Sequence, residues 1–348
     1  MEIRNSLAAI LTEQNKPLKI EYIEFPNELE IGQVLVKLHY SGICGSQLGE
    51  INGVKGPDKY LPHLMGHEGC ATVLEIGPGV KTISKNDLVV LHWKRGEGIQ
   101  SDPPKYKFKG QNINAGWITT FNEYAIISEN RCTKIPKDTN KKIASLFGCA
   151  ITTGFGVIEN NANLQIGESI VIFGSGGIGL NMIQAAVLRN AFPIIAVDLN
   201  DEKLNLAKNI GATHTINTSY QDPKRLITDI LGQNKLDVFV DNTGIPSIIE
   251  MGYNMTDIKG RVILVGVPRV GNNINLFSLP LHFGKTILGS HGGEIKPELD
   301  ILRYLNLIEQ KKIDLEILIS KYCKLEEINL AITELKDNKI PGRVMISF

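Results

Sequence analysis

The spacing of apolar and polar residues changes near residue 150. Up to that point, short segments such as QVLVKLHYSG, ATVLEIG and NDLVVLHW alternate between apolar and polar positions and are separated by Gly and Pro. Alternation with a period of two is typical of β-strands that bury one face. We therefore predict that the first part of the chain is rich in β-structure.

From about residue 153, unbroken apolar segments alternate with helical ones. SIVIFG, PIIAVD, LDVFVDNTG and GRVILVGVP predict buried strands, and GIGLNMIQAAVLRNA, NDEKLNLAKNIG and PKRLITDILG predict the helices between them. Strands that are apolar on both faces and are joined by helices are typical of a parallel sheet covered on both sides. This part is predicted to be a doubly wound α/β domain, whereas the segments after about residue 290 no longer follow the alternation.

The composition is that of an ordinary globular protein, with 348 residues of which 43% are hydrophobic. A chain of this length predicts two domains. Its 37 basic residues balance 37 acidic ones, so no overall charge recruits nucleic acid or a membrane. The N-terminal apolar run LAAIL is too short for a signal peptide or a membrane span, and we expect a cytoplasmic protein.

The loop FGSGGIG predicts a dinucleotide site. It places Gly174, Gly176 and Gly179 in a G-x-G-x-x-G spacing, with Gly177 between them, directly after an apolar strand and before a helix. Gly174 permits a tight turn, Gly176 lets the backbone approach a pyrophosphate, and Gly179 lets the helix and the sheet pack closely. The helix N-terminus would supply N–H donors to the phosphates.

Asp198 ends the next predicted strand and indicates which cofactor binds. Its carboxylate is placed to accept hydrogen bonds from ribose hydroxyls and would repel a 2′-phosphate, so the sequence favours NAD over NADP. Lys203 follows closely and would add a positive charge near the ribose, which acts against that preference.

Three residues form a candidate metal-ligand set: Cys44, His67 and Cys149. The five cysteines of the chain stand at wide spacings without a CxxC pair, which argues against a disulfide framework. Two thiolates and one imidazole suit zinc, and a set of three leaves a fourth position open, as in catalytic sites. Spacing alone does not decide the matter, because a single cysteine or histidine is also commonly a packed core residue.

Taken together, the motifs SGICGS, GHE, GCAITTGFG, GSGGIG, VDLN and GRVMISF resemble those of the zinc-dependent alcohol dehydrogenases in the medium-chain dehydrogenase/reductase superfamily. The resemblance runs along the whole chain and implies an α/β protein of two domains. One is a discontinuous, β-rich, GroES-like catalytic domain of residues 1–152 and 290–348. The other is a Rossmann domain of residues 153–289 that binds NAD. Members of the family are homodimers or homotetramers.

The resemblance also implies roles for individual residues. Cys44, His67 and Cys149 would bind the catalytic zinc. The remaining implied roles are an acidic neighbour of the metal (Glu68), a hydroxyl that contacts the substrate oxygen (Ser46), a residue against the nicotinamide (Thr153), an arginine near the cofactor pyrophosphate (Arg343), and pocket aromatics (Trp93 and Phe121).

The chain departs from the family in residues 92–111, where many members bind a structural zinc through four cysteines. This segment, which we call the lobe, contains no cysteine, so we predict one catalytic zinc and no structural zinc. It carries Lys105, Lys107 and Lys109 instead. Such a charge run is either a solvated face or a contact for an anionic substrate group.

A second departure follows Ser46, where family members usually have Asp and, two residues later, often His. This chain has Gln47 and Gly49. We expect the amide oxygen of Gln47 to accept a hydrogen bond from the His67 imidazole in place of the usual carboxylate. Without the usual histidine, the proton must leave Ser46 through the cofactor ribose, water or another side chain.

The sequence thus predicts a zinc- and NAD-dependent dehydrogenase that interconverts a primary or secondary alcohol and its carbonyl compound. Three alternatives stay open. The first is a polyol or sugar dehydrogenase that acts on a phosphorylated or nucleotide-linked substrate, as the basic lobe suggests. The second is a zinc-free reductase of the same superfamily. The third is a catalytically silent NAD-binding protein.

Overall fold

The computed structural model describes residues 2–310 and 313–348. The described chain divides into two compact units. The first unit contains residues 2–149, 296–309 and 319–348, and the second contains residues 150–295 and 313–318 together with residue 310. Each unit is described by itself below.

The strands, in chain order, are β1 (Asn5–Leu11), β2 (Lys19–Glu24), β3 (Gln33–Ile43), β4 (His63–Leu64), β5 (Glu68–Ile76), β6 (Leu88–His92), β7 (Tyr106–Phe108), β8 (Gln111–Ile113), β9 (Tyr124–Ser128), β10 (Cys132–Ile135), β11 (Ile170–Phe173), β12 (Ile194–Asp198), β13 (His214–Asn217), β14 (Leu236–Asp241), β15 (Thr256–Leu264), β16 (Thr286–Gly289), β17 (Ile319–Cys323) and β18 (Arg343–Ser347).

The α-helices are α1 (Gly45–Ile51), α2 (Lys141–Leu146), α3 (Ala150–Gly156), α4 (Gly177–Leu188), α5 (Asp201–Asn209), α6 (Pro223–Leu231), α7 (Pro246–Met255), α8 (Pro297–Glu309) and α9 (Ile328–Lys336). A π-helical turn, Val157–Asn161, follows α3 directly.

The first unit contains two sheets. One has the order β4-β1-β2-β7-β8, and the other has the order β10-β6-β5-β3-β18-β17 with β9 also paired to β3. Alternate residues of β3, such as Val34, Val36 and Leu38, pack with Val73 of β5 in an apolar core, as the period of two predicts. The prediction of a β-rich first part is confirmed. The C-terminal strand β18 pairs antiparallel with β3 in the same sheet.

The second unit contains a sheet of parallel strands in the order β13-β12-β11-β14-β15-β16. Counted from β11, this is the doubly wound order 3-2-1-4-5-6. Strands β11 and β12 are buried along their whole length, which explains their unbroken apolar sequences. Helices α5 and α6 begin at capping side chains, Asn200 and Asp222, that accept first-turn N–H groups. The predicted Rossmann-type fold is confirmed.

Two further features of the described chain bear on the sequence-based expectations. None of its helices has the length and apolar character needed to cross a membrane. All five cysteines are buried, and none of them forms a disulfide.

Candidate active site

Cys44, His67 and Cys149 come together in the first unit. Cys44 lies between β3 and α1, His67 directly precedes β5, and Cys149 directly precedes α3. One donor atom of each residue lies within 4.8 Å of those of the other two. Cys44 and His67 meet because β3 and β5 are neighbours in one sheet. Cys149 joins them because Gly148 packs closely against the backbone of Glu68.

The donor atoms of this cluster are suited to a metal ion. The pKa of the Cys44 thiol is held well below its usual range, first by a hydrogen bond with Cys149 and then by His67 and the charge of Arg343, although burial acts in the opposite direction. The His67 Nε2 atom is buried without a hydrogen-bond partner, as expected of an atom reserved for a ligand. This donor set of two sulfurs and an imidazole fits zinc.

Glu68 and Arg343 form a buried ion pair beside the cluster. Glu68 begins β5 and Arg343 begins β18, and a side chain at Gly42 on the intervening strand β3 would collide with the Glu68 carboxylate. The absence of a side chain at Gly42 therefore makes room for the pair. The contact of Arg343 with a cofactor pyrophosphate stays a prediction.

Ser46 and Gln47 lie in the first turn of α1, with Ser46 exposed and Gln47 buried. The Gln47 Oε1 atom accepts a hydrogen bond from the Cys44 N–H at 2.8 Å. The expected contact with the His67 imidazole is replaced by this one, because a glutamine at the third helical position can fold back onto the N-cap N–H in a capping box. Gln47 thus fixes the backbone of a metal-ligand residue.

The two predicted pocket aromatics have different surroundings. Trp93 is half-buried, and its backbone N–H donates to the Gly148 carbonyl at 3.4 Å, next to Cys149. Phe121 is fully buried in an apolar core with Ile43 and other residues. Phe121 exposes no surface to a substrate in this structure, and its role in a pocket stays a prediction.

In the second unit, the glycine loop has the geometry of a phosphate cradle. Gly174 has φ of +100°, which favours glycine. A Cβ at Gly179 would collide with the Gly174 carbonyl oxygen, whereas a Cβ at Gly176 would meet nothing within 4 Å. Helix α4 begins at Gly177 without the side-chain cap that α5 and α6 have. An open, uncapped helix N-terminus of this kind fits the pyrophosphate of NAD.

The Asp198 carboxylate is fixed beside this loop. It accepts N–H groups from Ser175 at 2.8 Å, Leu199 at 2.8 Å and Asn200 at 3.1 Å. Lys203 lies in the first turn of α5, and Thr153 is buried in α3. Their contacts with the cofactor, like that of Asp198, stay predictions.

The lobe of residues 92–111 is held by a carboxylate and ion pairs. The Glu129 carboxylate accepts the N–H groups of Ile99 at 2.7 Å and Thr82 at 2.8 Å, and so joins the lobe to the preceding loop. Lys105 pairs with Glu30, and Lys109 pairs with Glu21. These exposed pairs are typical of a solvated face.

Sequence reasoning missed one group of chemically capable side chains in the first unit: Glu50, Asp58 and His63. They match no short motif. The only sequence signal is that two acidic residues and a histidine lie between the first two predicted zinc ligands.

Sequence comparisons identify two domains in the chain. Residues 30–137 match the alcohol dehydrogenase GroES-like domain, and residues 177–309 match the zinc-binding dehydrogenase domain. An S-(hydroxymethyl)glutathione dehydrogenase from Synechocystis sp. is 28% identical over 364 residues, which cover 96% of this chain and 97% of the relative. Its namesake from Escherichia coli is 29% identical over 369 residues, with the same coverage.

The comparison with solved structures agrees with the sequence comparisons. The benzyl alcohol dehydrogenase of Acinetobacter calcoaceticus superimposes with a TM-score of 0.89 at 28% identity, covering 99% of this chain and 100% of that one. An alcohol dehydrogenase zinc-binding domain protein from Burkholderia ambifaria has a TM-score of 0.89 at 26% identity, covering 99% of each chain.

Proposed function

Because the chain belongs to the zinc-dependent alcohol dehydrogenases of the medium-chain superfamily, we propose that it oxidises a primary or secondary alcohol to its carbonyl compound, or catalyses the reverse reaction, with NAD. The observation that carries this proposal is the convergence of Cys44, His67 and Cys149 on one point of the first unit. A silent NAD-binding protein would have no need of this buried donor set, and neither would a zinc-free reductase.

Cys44, His67 and Cys149 would hold zinc, and the loop from Gly174 to Gly179 would hold the NAD pyrophosphate. When bound, these groups supply a Lewis acid for the substrate hydroxyl and an acceptor for the hydride. The lowered pKa of the Cys44 thiol favours the thiolate, which is the form that binds a metal. The Glu68–Arg343 pair adds fixed charges beside the ligands.

We assign the first proton transfer to Ser46. Its exposed hydroxyl lies two residues after Cys44 in the first turn of α1 and can accept the proton of a substrate hydroxyl. Gly49 offers no side chain to receive that proton in turn. We propose that water or a cofactor hydroxyl carries it to solvent.

We propose an uncharged primary alcohol as the first substrate to test. Benzyl alcohol, which the name of one similar structure gives, is an uncharged primary alcohol. S-(hydroxymethyl)glutathione, which the name of a sequence relative gives, also carries its hydroxyl on a CH₂ group, but that group is attached to a charged peptide. The alternative of a phosphorylated or nucleotide-linked substrate depended on the lobe lysines. Lys105 and Lys109 already pair with glutamates, so the lobe offers less free positive charge than its sequence suggested.

The test combines metal content and turnover. Protein purified without added metal should contain one zinc per chain, and its NAD-linked activity on benzyl alcohol should be lost with a strong chelator and restored by zinc. Measuring the same NAD-linked activity with a polyol, a sugar phosphate and S-(hydroxymethyl)glutathione ranks the substrate classes. Zinc-independent turnover would support the reductase alternative, and NAD binding without turnover on any substrate would support the silent one.

We also propose that two copies of the chain associate through strand β16. This strand ends the sheet of the second unit, and in the described part of the chain no strand pairs with its outer edge. The preceding segment exposes Phe277 by 67% and Phe283 by 58%. Unpaired edges beside exposed apolar side chains favour pairing with another copy. Light scattering should give a multiple of the 38.3 kDa chain mass, and Phe283→Arg should lower it.

The cytoplasmic location stays a proposal. It is supported by the five cysteines, none of which forms a disulfide, because a reducing compartment keeps thiols from being oxidised.

A further inference from the structure

A second group of metal-ligating side chains lies in the first unit, apart from the thiol cluster. It consists of Glu50 in α1, His63 in β4 and Asp58 in the connection between them, and their donor atoms all lie within 4.8 Å of one another. Asp58 Oδ2 lies 2.9 Å from His63 Nε2, and Glu50 Oε1 lies 3.8 Å from the same nitrogen. The proposed reaction uses none of these residues.

The hydrogen bonds of His63 call for a positive charge, either a proton or a metal ion, between its ring and the carboxylates. Its Nδ1 atom lies 2.9 Å from the Leu64 carbonyl oxygen, which can only accept, so Nδ1 carries a proton. In a neutral ring, Nε2 then presents a lone pair to the carboxylate oxygen of Asp58 at 2.9 Å. Two lone pairs at that distance repel each other. Either a second proton on the ring or a metal ion must lie between the imidazole and the carboxylates.

The surrounding contacts are those of a metal site. A metal-ligating histidine usually donates its other ring N–H to a carbonyl or carboxylate, and ligating carboxylates are themselves hydrogen-bonded. The Leu64 carbonyl accepts from His63. The Tyr60 N–H donates to Asp58 Oδ1 at 2.8 Å and leaves Oδ2 directed toward the imidazole.

The loop that carries two of the ligands is also fixed. The backbone carbonyl of Asn114 accepts the Leu64 N–H at 2.9 Å, and the backbone N–H of Asn114 donates to the Pro62 carbonyl at 3.0 Å. The side chains of His63 and Asp58 are 10% and 12% exposed, whereas that of Glu50 is 46% exposed. A hydrated ion can therefore reach preformed donors and keep water ligands on its open side.

We propose that Glu50, Asp58 and His63 bind a second divalent transition-metal ion of the Zn²⁺ type. Its affinity is lower than that of the thiol cluster, because one imidazole and two carboxylates lack the soft thiolates that zinc favours. The ion joins α1, which begins directly after Cys44, to the segment that leads into His67. It thereby cross-links the two elements that carry the first two ligands of the thiol cluster, whether or not that cluster is catalytic.

Co²⁺ titration of the full-length protein with zinc already in the thiol cluster tests this site. We expect one further equivalent to bind, with visible d–d absorption and no thiolate-to-cobalt charge-transfer band in the near ultraviolet. Asp58→Asn should weaken binding by at least about tenfold, and Asp138→Asn, which removes an exposed carboxylate elsewhere, should not.

Three results would overturn the proposal. The first is that the protein, with zinc in its thiol cluster, binds no Co²⁺. The second is equal Co²⁺ affinity in Asp58→Asn, Glu50→Gln and the wild type. The third is a charge-transfer band, which would place cobalt on the cysteines. Glu50→Gln serves as the second variant, because Glu50 is half exposed and its replacement leaves the loop hydrogen bonds intact.

Discussion

The two candidate sites of this protein are built in opposite ways. In the first unit, Cys44, His67 and Cys149 supply donor atoms, and the site exists because these side chains are present. In the second unit, Gly176 and Gly179 supply empty volume, and the site exists because side chains are absent. Replacing one donor atom in the first unit should therefore lower the metal content. Adding one methyl group in the second unit should lower the cofactor affinity.

The largest effect should come from replacing a donor atom. Cys44→Ser should lower kcat/KM by more than about a hundredfold, the upper end of losses caused by outer-shell partners alone, and should lower the zinc content. Metal analysis and NAD-linked assays measure both. Cys132→Ser is the matched control, because Cys132 is also buried but lies outside the cluster. Full activity in Cys44→Ser would remove the basis for the metal assignment.

The next effect should come from filling the tightest point of the glycine loop. In Gly179→Ala, the new Cβ meets the Gly174 carbonyl oxygen, so the loop or the start of α4 must shift. We expect the free energy of unfolding to fall by about 1–3 kcal/mol, as for other overpacked positions, and NAD binding to weaken. Denaturant unfolding and NAD titration measure the two losses. Unchanged stability would mean that this contact is not tight.

Gly176→Ala should separate binding from folding. Its Cβ would meet no protein atom within 4 Å, so the stability should stay within about 0.5 kcal/mol of the wild type. The same Cβ would occupy space proposed for the pyrophosphate, and the Kd for NAD should rise about tenfold through loss of a charge-assisted hydrogen bond. Zinc content should not change. Wild-type NAD affinity in this variant would argue against a phosphate at the loop.

The smallest effect should come from Asp198→Asn. The ratio of kcat/KM with NADP to that with NAD should rise about fivefold, because the negative charge that repels a 2′-phosphate is removed and a ribose hydrogen bond is weakened. Steady-state kinetics with both cofactors measure the ratio. In this variant an NH₂ group, which can only donate, also replaces one carboxylate oxygen that accepts loop N–H groups. The free energy of unfolding should therefore fall by about 1 kcal/mol. An unchanged ratio would contradict the proposed ribose contact.

Local patterns predicted most of the fold. The period of two in β3 and the unbroken apolar sequences of β11 and β12 each reflect how many faces of the strand are buried, and this is a property of neighbouring residues. The contacts of single side chains were harder to predict. Gln47 binds the backbone of Cys44 instead of the His67 imidazole, because its position in the first turn of α1 brings it back onto the N-cap.

The sequence by itself determined the fold class and the glycine loop, because local periodicity and a short motif carry that information, and its family resemblance along the whole chain indicated the candidate zinc ligands. Only the tertiary structure decided that Glu68 pairs with Arg343, that Glu129 holds the lobe without cysteines, and that Glu50, Asp58 and His63 meet. Those contacts join side chains on different strands and loops. Their distances depend on how the sheets of the first unit pair, which no local stretch of sequence specifies.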